Sequence, residues 1–342
     1  MKFYRRNQIL VFITLLVEPM RILVTGFEPF GDSSTNSSML VVQKLMNYAF
    51  PFDSIFEFKI LPVSERGANY AKQQIESGVK FDLVFHLGLC ESCTQVRVET
   101  RAKNWIDMRI PDNEGRQIRS STIDDYGAVY SELPFNRIFE DVKNLEESID
   151  AGSFVCNETY RQTLLALEHK NHRKNCVFVH LPPETVMTID DLCDTTIRIL
   201  TSMIESLHVE SIPVAALALK SERNEMFAAF RVENAISGWE FPGGKLEANE
   251  SVQDALQREC LEELNLEIVP LKTLGRWDYE IKGRWYALFL TSATASNEAI
   301  KNIELFEHAE YQWIPTDELL ETDWMPHDRD LARYLTRIMP NF

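Results

Sequence analysis

The sequence predicts an α/β protein of two domains, on three observations. From Arg21 to about Ser206 short apolar runs alternate with helical stretches. After Leu207 the chain turns to longer strands, and a Pro-Gly-Gly loop there leads into an acidic helix. A length of 342 residues holds two units of ordinary size. Strand–helix alternation predicts a largely parallel sheet covered by helices.

Composition narrows the partners. With 45% hydrophobic and 25% charged residues the chain reads as globular. A net charge of −17 argues against a nucleic-acid polymer, because phosphate backbones are held by Lys and Arg. A single nucleotide bound through a bridging metal stays open. Cys90, Cys93, Cys156, Cys176, Cys193 and Cys260 are too scattered for a disulfide scaffold. They point to a reducing compartment, so a cytoplasmic location is expected.

At the N-terminus Lys2, Arg5 and Arg6 precede an apolar run from Ile9 to Val17, broken by Thr14. A signal peptide is the competing reading, but no small-x-small cleavage site follows. The run is too short to span a bilayer, and no membrane partner is expected. Residues 1–19 read as a start-site extension or tail, with Met20 directly before the first convincing strand.

The predicted strands of the first unit are Arg21–Val24, Phe56–Pro62, Leu83–Leu87 and Val177–His180. Its predicted helices are Ser38–Tyr48, Gly67–Ser77, Pro134–Asn144, Asn157–His169 and Ile189–Leu207. A boundary falls in His208–Ile212. Beyond it Val214–Lys220 and Met226–Arg231 read as a hairpin around Ser221–Asn224, followed by helix Ser251–Leu264 and strands Leu274–Ile281 and Arg284–Thr291.

On the acidic helix Glu259, Glu262 and Glu263 stand at i, i+3 and i+4, so three carboxylates share a face and repel one another. No lysine one turn away relieves them. A solvated acidic face is one reading, and a seat for Mg²⁺ or Mn²⁺ is the other. The longer spacing favours the second: Gly244, five residues, Glu250, seven residues, Arg258-Glu259, then Glu262-Glu263 resembles the Nudix box. Cys260 takes an aliphatic position and Asn265 a glycine position; a buried thiol and a left-handed Asn both serve there.

That resemblance implies a Nudix α/β/α sandwich with a mixed sheet that hydrolyses a nucleoside diphosphate linked to another group. Glu259, Glu262 and Glu263, with the Gly244 carbonyl, would hold the metal. Arg258 would orient the glutamates rather than touch substrate, and Arg231 and Lys245 would contact phosphate. Trp239-Glu-Phe-Pro-Gly-Gly-Lys245 is similar to the MutT-like subgroup, which cuts nucleoside triphosphates to monophosphate and pyrophosphate. The segment Trp324-Met-Pro-His-Asp328 resembles its base-reading tail. Asp328 then either reads the base or caps the helix before Leu331.

In the first unit Cys156 stands where a helix begins, which favours a thiolate. His180 closes an apolar run at a strand end, where α/β sites form. His169 and His172 look like surface residues. A buried core thiol is the plain alternative for Cys156. Five segments argue otherwise: Thr25-Gly-Phe-Glu-Pro-Phe-Gly31, Glu99-Thr-Arg-Ala-Lys-Asn104, Arg109-Ile-Pro-Asp-Asn-Glu-Gly115, Gly152-Ser-Phe-Val-Cys-Asn157 and Phe178-Val-His-Leu-Pro182. In order and spacing they resemble pyroglutamyl peptidase I, a cysteine peptidase family that starts near Met20.

The resemblance implies Cys156 as nucleophile, His180 as base and acid, and Glu99 as the carboxylate orienting the imidazole. Phe27 and Phe30 would sandwich the pyroglutamyl lactam, with Phe154 and Val155 beside the pocket; ordinary turn packing is the alternative for the first two. Arg109 would serve the oxyanion site or a structural ion pair. The family's glycine-rich segment after Gly88 is here Leu89-Cys-Glu-Ser-Cys93, which bears on the entrance and on backbone donors near the acyl carbonyl. The Cys90-x-x-Cys93 pair reads as incidental.

The expected plan is a tail at 1–19, a pyroglutamyl peptidase-type α/β/α sandwich at 20–207 and the Nudix domain at 208–342. It predicts a bifunctional hydrolase acting on nucleotides and pyroglutamyl peptides, with magnesium or manganese in the second domain only. The alternatives are a peptidase-like half kept as a binding or oligomerisation module, and a Nudix domain acting as a nucleotide sensor. Homo-oligomer formation is left open.

Overall fold

The computed structural model describes residues 19–31, 33–233 and 236–339. Apart from Pro19, the expected tail at 1–19 lies outside the described residues. Met20 opens β1 (Met20–Phe27), followed by α1 (Ser37–Leu45), β2 (Ser54–Leu61), α2 (Glu65–Ala68), α3 (Tyr70–Glu76) and β3 (Leu83–Leu89). Then come β4 (Val96–Glu99), β5 (Arg101–Ala102), β6 (Val129–Tyr130), α4 (Phe135–Asp141) and β7 (Leu145–Ser148). The first half closes with α5 (Val155–His169), β8 (Cys176–Leu181) and α6 (Ile189–His208).

Six of these strands form one sheet in the order β2-β1-β3-β8-β4-β7. Every pairing is parallel except β4 with β8. Period-two alternation sorts the strand residues onto two faces. Ile22, Val24, Phe85, Val177 and Val179 pack toward α1, α4 and α6. Leu23, Val84 and Phe178 pack toward α2, α3 and α5. Helices therefore cover both faces, as predicted. The sequence reading missed β4 to β7, each four residues or shorter.

The second half contains β9 (Ser211–Leu219), β10 (Glu225–Glu233), β11 (Ile236–Glu240), α7 (Val252–Leu264), β12 (Val269–Ile281), β13 (Arg284–Thr294), α8 (Asn297–Lys301), β14 (Glu310–Pro315) and α9 (Asp328–Ile338). Two three-stranded sheets result, β11-β10-β14 and β12-β13-β9. The second is mixed, with β13 antiparallel to β12 and parallel to β9. The expected β9–β10 hairpin is corrected: one bridge, Lys220↔Met226, closes its turn, and the strands then part into different sheets. Both strands are apolar enough to pair elsewhere, β9 with the longer β13 and β10 between β11 and β14.

The halves share a core. Tyr130 is buried among Leu274, Trp277, Tyr334 and Leu335. The Asn136 side-chain amide donates to the Asp278 carbonyl at 2.8 Å, and the Asp278 N–H donates back to the Asn136 side-chain oxygen at 3.1 Å. Arg337 pairs with Glu147.

One buried group makes stability sensitive to acid. His86 is fully buried between Thr25 Oγ1 at 2.7 Å and Thr163 Oγ1 at 3.0 Å. Burial pushes its pKa down to about 3. Below about pH 6.5 the unfolded chain takes up a proton that the folded one refuses, so this residue costs stability as pH falls toward 3. Urea midpoints should therefore drop between pH 7 and 5 by more in wild type than in His86→Asn, at up to ~1.4 kcal/mol per pH unit.

Candidate active sites

The alternation that builds the first sheet also sets its chemistry. On β8, Val177 and Val179 face α6, so Phe178 and His180 face α5. β4 runs antiparallel to β8, with Glu99 opposite Phe178 and Arg97 opposite His180. Val96 and Val98 belong to the α6 side, which turns Glu99 toward the imidazole. Glu99 Oε1 meets His180 Nδ1 at 2.9 Å, with Glu99 fully buried. Cys156 is the second residue of α5 and hydrogen-bonds the same ring. Although burial opposes its charged form, the bonds to Cys156 and Glu99 push His180 up to about 9.

Cys156 is thus not a core thiol: it is half-buried and lines a cavity of about 950 Å³ with His180, Phe27, Phe30, Phe154, Val155 and Arg109. Phe27 is buried and stacks on Phe178 at 6.3 Å, whereas Phe30 packs on Phe154 at 5.7 Å. Arg109 is exposed and makes no ion pair among the described residues, which removes the structural-pair alternative. Phe154 caps α5 without a side-chain hydrogen bond, leaving first-turn N–H groups beside the sulfur.

Sequence reasoning missed the brace of this wall. Arg116 forks onto Glu158 at 2.9 and 2.5 Å and reaches Asp112 at 3.1 Å, tying the loop after Arg109 to the first turn of α5. Only the charges of Asp112-Asn-Glu-Gly-Arg116 hinted at it. The reading of Cys90 and Cys93 as incidental is also corrected. They form a disulfide at the cavity mouth, because the turn they bound brings their Cα atoms to 5.3 Å. It follows that the cysteine count does not argue for a reducing compartment.

In the second half the acidic helix is as expected. Ser251 caps α7 by accepting from the Asp254 N–H, Cys260 is fully buried, and Asn265 is left-handed at φ 49°. The glutamates, however, do not converge. Among the described residues no group of three or more His, Cys, Asp or Glu is set to hold a metal ion. Glu263 is buried, Glu259 half-buried, and Glu262 exposed.

Arg258, rather than a lysine, neutralises the glutamates. It bonds Glu250 at 2.9 Å through two nitrogens, Glu259 at 2.8 Å, Glu262 at 3.2 Å and the Lys245 carbonyl at 3.0 Å. Arg258 and the backbone of Glu247 draw Glu250 down to about 2. Two features still suit a cation. Glu263 Oε2 is buried with no partner, and a Cβ on Gly244 would lie 2.3 Å from the Glu259 carboxylate. The Gly244 carbonyl accepts from the Ala215 N–H at 2.8 Å.

Arg231, expected at phosphate, is held instead by Glu240 at 2.6 Å, Glu263 at 2.9 Å and Glu307 at 3.5 Å. His308 also meets Glu240, at 2.8 Å. Of these partners Glu240 and Glu263 lie in quoted motifs, and Glu307 and His308 do not. Burial pushes Glu263 up to about 7, against the pull of His308 and Arg231. Lys245 is exposed, with its ammonium 5.8 Å over the Tyr286 ring. The tail does meet the motif: the Trp239 N–H donates to the Asp323 carbonyl at 2.9 Å, and the Met325 N–H donates to the Trp239 carbonyl at 2.7 Å. Asp328 is not a cap. It opens α9 behind His327, accepts from the Phe241 N–H at 2.9 Å, and is pushed by burial up to about 8.

A cysteine at a helix start, meeting a histidine and a carboxylate at the strand ends of a helix-covered sheet, defines a cysteine hydrolase. A pyroglutamyl peptidase family model matches residues 20–222 and a NUDIX domain model matches 211–335. The pyrrolidone-carboxylate peptidase of Pyrococcus furiosus is 30% identical over 205 residues, covering 57% of this chain and 96% of that protein. That of Finegoldia magna is 33% identical over 202 residues, covering 55% and 93%. The solved P. furiosus pyrrolidone carboxyl peptidase superposes with a TM-score of 0.51 at 27% identity, over 55% of this chain and 100% of that one. The Thermococcus litoralis structure gives 0.51 at 25% identity, over 55% and 94%.

The chain belongs to the pyroglutamyl peptidase family and carries a NUDIX domain behind the peptidase fold. Both are enzyme families, and both are hydrolases. The two matches overlap at 211–222, where β9 pairs with β13 of the second half.

Gly88 tests how tightly the first site is packed. A Cβ there would lie 2.7 Å from the Phe178 ring and 3.1 Å from Cys156 Sγ. Gly88→Ala should cost about 1–3 kcal/mol by overpacking. It should also slow alkylation of Cys156 several-fold, read by thermal melting and by peptide mass spectrometry.

Proposed function

We propose that the chain works as two hydrolases, with a pyroglutamyl peptidase at about 20–208 and a nucleotide pyrophosphohydrolase from about 209 onward. The observation that carries the first is the Glu99–His180–Cys156 chain of contacts opening on one cavity. Glu99 holds Nδ1, which leaves Nε2 for the thiol. His180, pushed up to about 9, already holds the proton of the Cys156–His180 pair, and the Cys156 sulfur attacks the pyroglutamyl carbonyl carbon. First-turn N–H groups of α5 receive the oxyanion, His180 returns the proton to the leaving amine, and water frees the acid. The apolar walls of Phe27, Phe30, Phe154 and Val155 suit an uncharged lactam, and Arg109 borders the acyl carbonyl.

In the second site Glu259 and Glu263, with the Gly244 carbonyl, would hold a divalent cation such as Mg²⁺ or Mn²⁺. When bound, such an ion neutralises phosphate charge and orients water. Arg258 holds Glu250, Glu259 and Glu262, Arg231 positions Glu263, and Glu262, the exposed member, would accept a proton. Asp328, whose carboxyl is pushed by burial up to about 8 and whose Oδ1 accepts from the Phe241 N–H, would offer its other oxygen to a base, in keeping with a MutT-like nucleoside triphosphate as substrate. Lys245, exposed with its ammonium over the Tyr286 ring, would reach phosphate from there. No helix among the described residues is long and apolar enough to cross a membrane.

The two activities should separate by mutation. Cys156→Ala should abolish release of a fluorescent amine from a pyroglutamyl amide and spare pyrophosphate release from nucleoside triphosphates; Glu263→Gln should do the reverse. Retention of either activity in its own variant removes that half of the reading.

The peptidase should also report its base. His180 keeps its proton up to about pH 9, so kcat/KM should fall above that value as the acid for the leaving amine is lost. In Glu99→Gln this alkaline limb should move to lower pH, and the rate should drop at least ~100-fold.

A further inference from the structure

Three of the six cysteines gather at one cavity. Cys156 and Cys90 both line it, and Cys93 closes the turn with Cys90. Cys156 Sγ rests against Gly88, at 3.1 Å from where a Cβ would stand. The Cys90 N–H donates to the Leu181 carbonyl at 2.8 Å, which carries the ladder of β3 one residue past Leu89. Residues 88 and 90 therefore point to the same sheet face, the face of Cys156, about 7 Å apart along the strand. The central residues of the turn, Glu91 and Ser92, are exposed, so packing does not fix it. Cys93 is 2% exposed and shielded from the cavity, whereas Cys90 is half-buried within it. The other free cysteines, Cys176, Cys193 and Cys260, are buried and do not line the cavity.

We propose that Cys90 and Cys93 are a resolving pair that restores Cys156 after its oxidation by a hydroperoxide. The peroxide transfers one oxygen to the Cys156 thiolate, giving a sulfenic acid and leaving as water or an alcohol. The Cys90 thiolate attacks the Cys156 sulfur; an S–S bond forms, the S–O bond breaks, and the oxygen leaves as water after taking a proton, with His180 the adjacent donor. Cys93 then attacks the Cys90 sulfur. The Cys90–Cys93 bond forms, the Cys90–Cys156 bond breaks, and its electron pair returns to Cys156 as thiolate. Two thiols have been oxidised and one peroxide reduced. A soluble thiol or dithiol resets the pair. The structure, with Cys90–Cys93 bonded and Cys156 free, has the arrangement in which this sequence ends.

The proposal rests on the peptidase reading only in taking Cys156 as the reactive thiol. Its test is therefore covalent: full-length protein is reduced, desalted without oxygen, treated with equimolar hydrogen peroxide and mapped by non-reducing peptide mass spectrometry. Wild type should yield the Cys90–Cys93 disulfide with Cys156 still alkylatable. Cys93→Ser should stop at a Cys90–Cys156 disulfide. Cys90→Ser should drive Cys156 on to sulfinic acid, several-fold faster than wild type. Absence of the mixed disulfide in Cys93→Ser, or equal sulfinic acid in wild type and Cys90→Ser, overturns the relay. Peptidase activity, compared with each protein's own untreated sample, should survive peroxide in wild type and fail in Cys90→Ser; loss of amide hydrolysis in untreated wild type would count against the peptidase reading alone.

Discussion

A carboxylate without access to solvent is costly unless something charged or strongly polar meets it, and Glu99 meets one imidazole nitrogen. That single contact needs β4 to run against β8 with Glu99 beside Phe178. It needs β8 to present His180 to the α5 side, and α5 to begin where its second residue reaches the ring. A one-residue slip of either strand would turn the acid or the imidazole to the opposite face. The remaining architecture of the first half can be seen as what fixes that register: apolar residues alternate on β1, β3 and β8, and helices bury both faces.

The second half solves a different problem, an excess of negative charge. Glutamates on one face of α7 repel, and two arginines hold them: Arg258 on the same helix, one turn before Glu262, and Arg231 from β10. Each guanidinium serves several carboxylates, which is how a planar donor fork differs from a lysine. Glu263 sits deepest and has one oxygen unpaired. The arrangement is balanced but unfinished, and it is there that a cation would act.

Much of this was legible in the residues. Long, regular elements such as β1, β8, α5 and α6 declare themselves by period, and both catalytic motifs stand on fixed spacing. The strand bearing Glu99 was not legible, since Val96-Arg-Val-Glu99 is too short to show alternation. Pairing choice was not legible either: β9 and β10 look like hairpin partners, yet each finds a longer ladder elsewhere. Arg231 was seen as a phosphate contact because two of its acidic partners, Glu263 and Glu307, lie far along the chain. The bond between Cys90 and Cys93 escaped notice because composition speaks for an average environment, not for one turn.

The seam between the halves has a consequence for how the molecule comes apart. Tyr130 lies in the first half of the chain but is buried with β12 and α9, and Asn136 completes the backbone bonding of Asp278. Thermal denaturation is therefore coupled across the seam, and a break in one hydrolase exposes greasy surface on the other. Sequence drift in β12 is answerable to residues some 140 positions earlier, so the partnership constrains inheritance even where the chemistries have nothing in common.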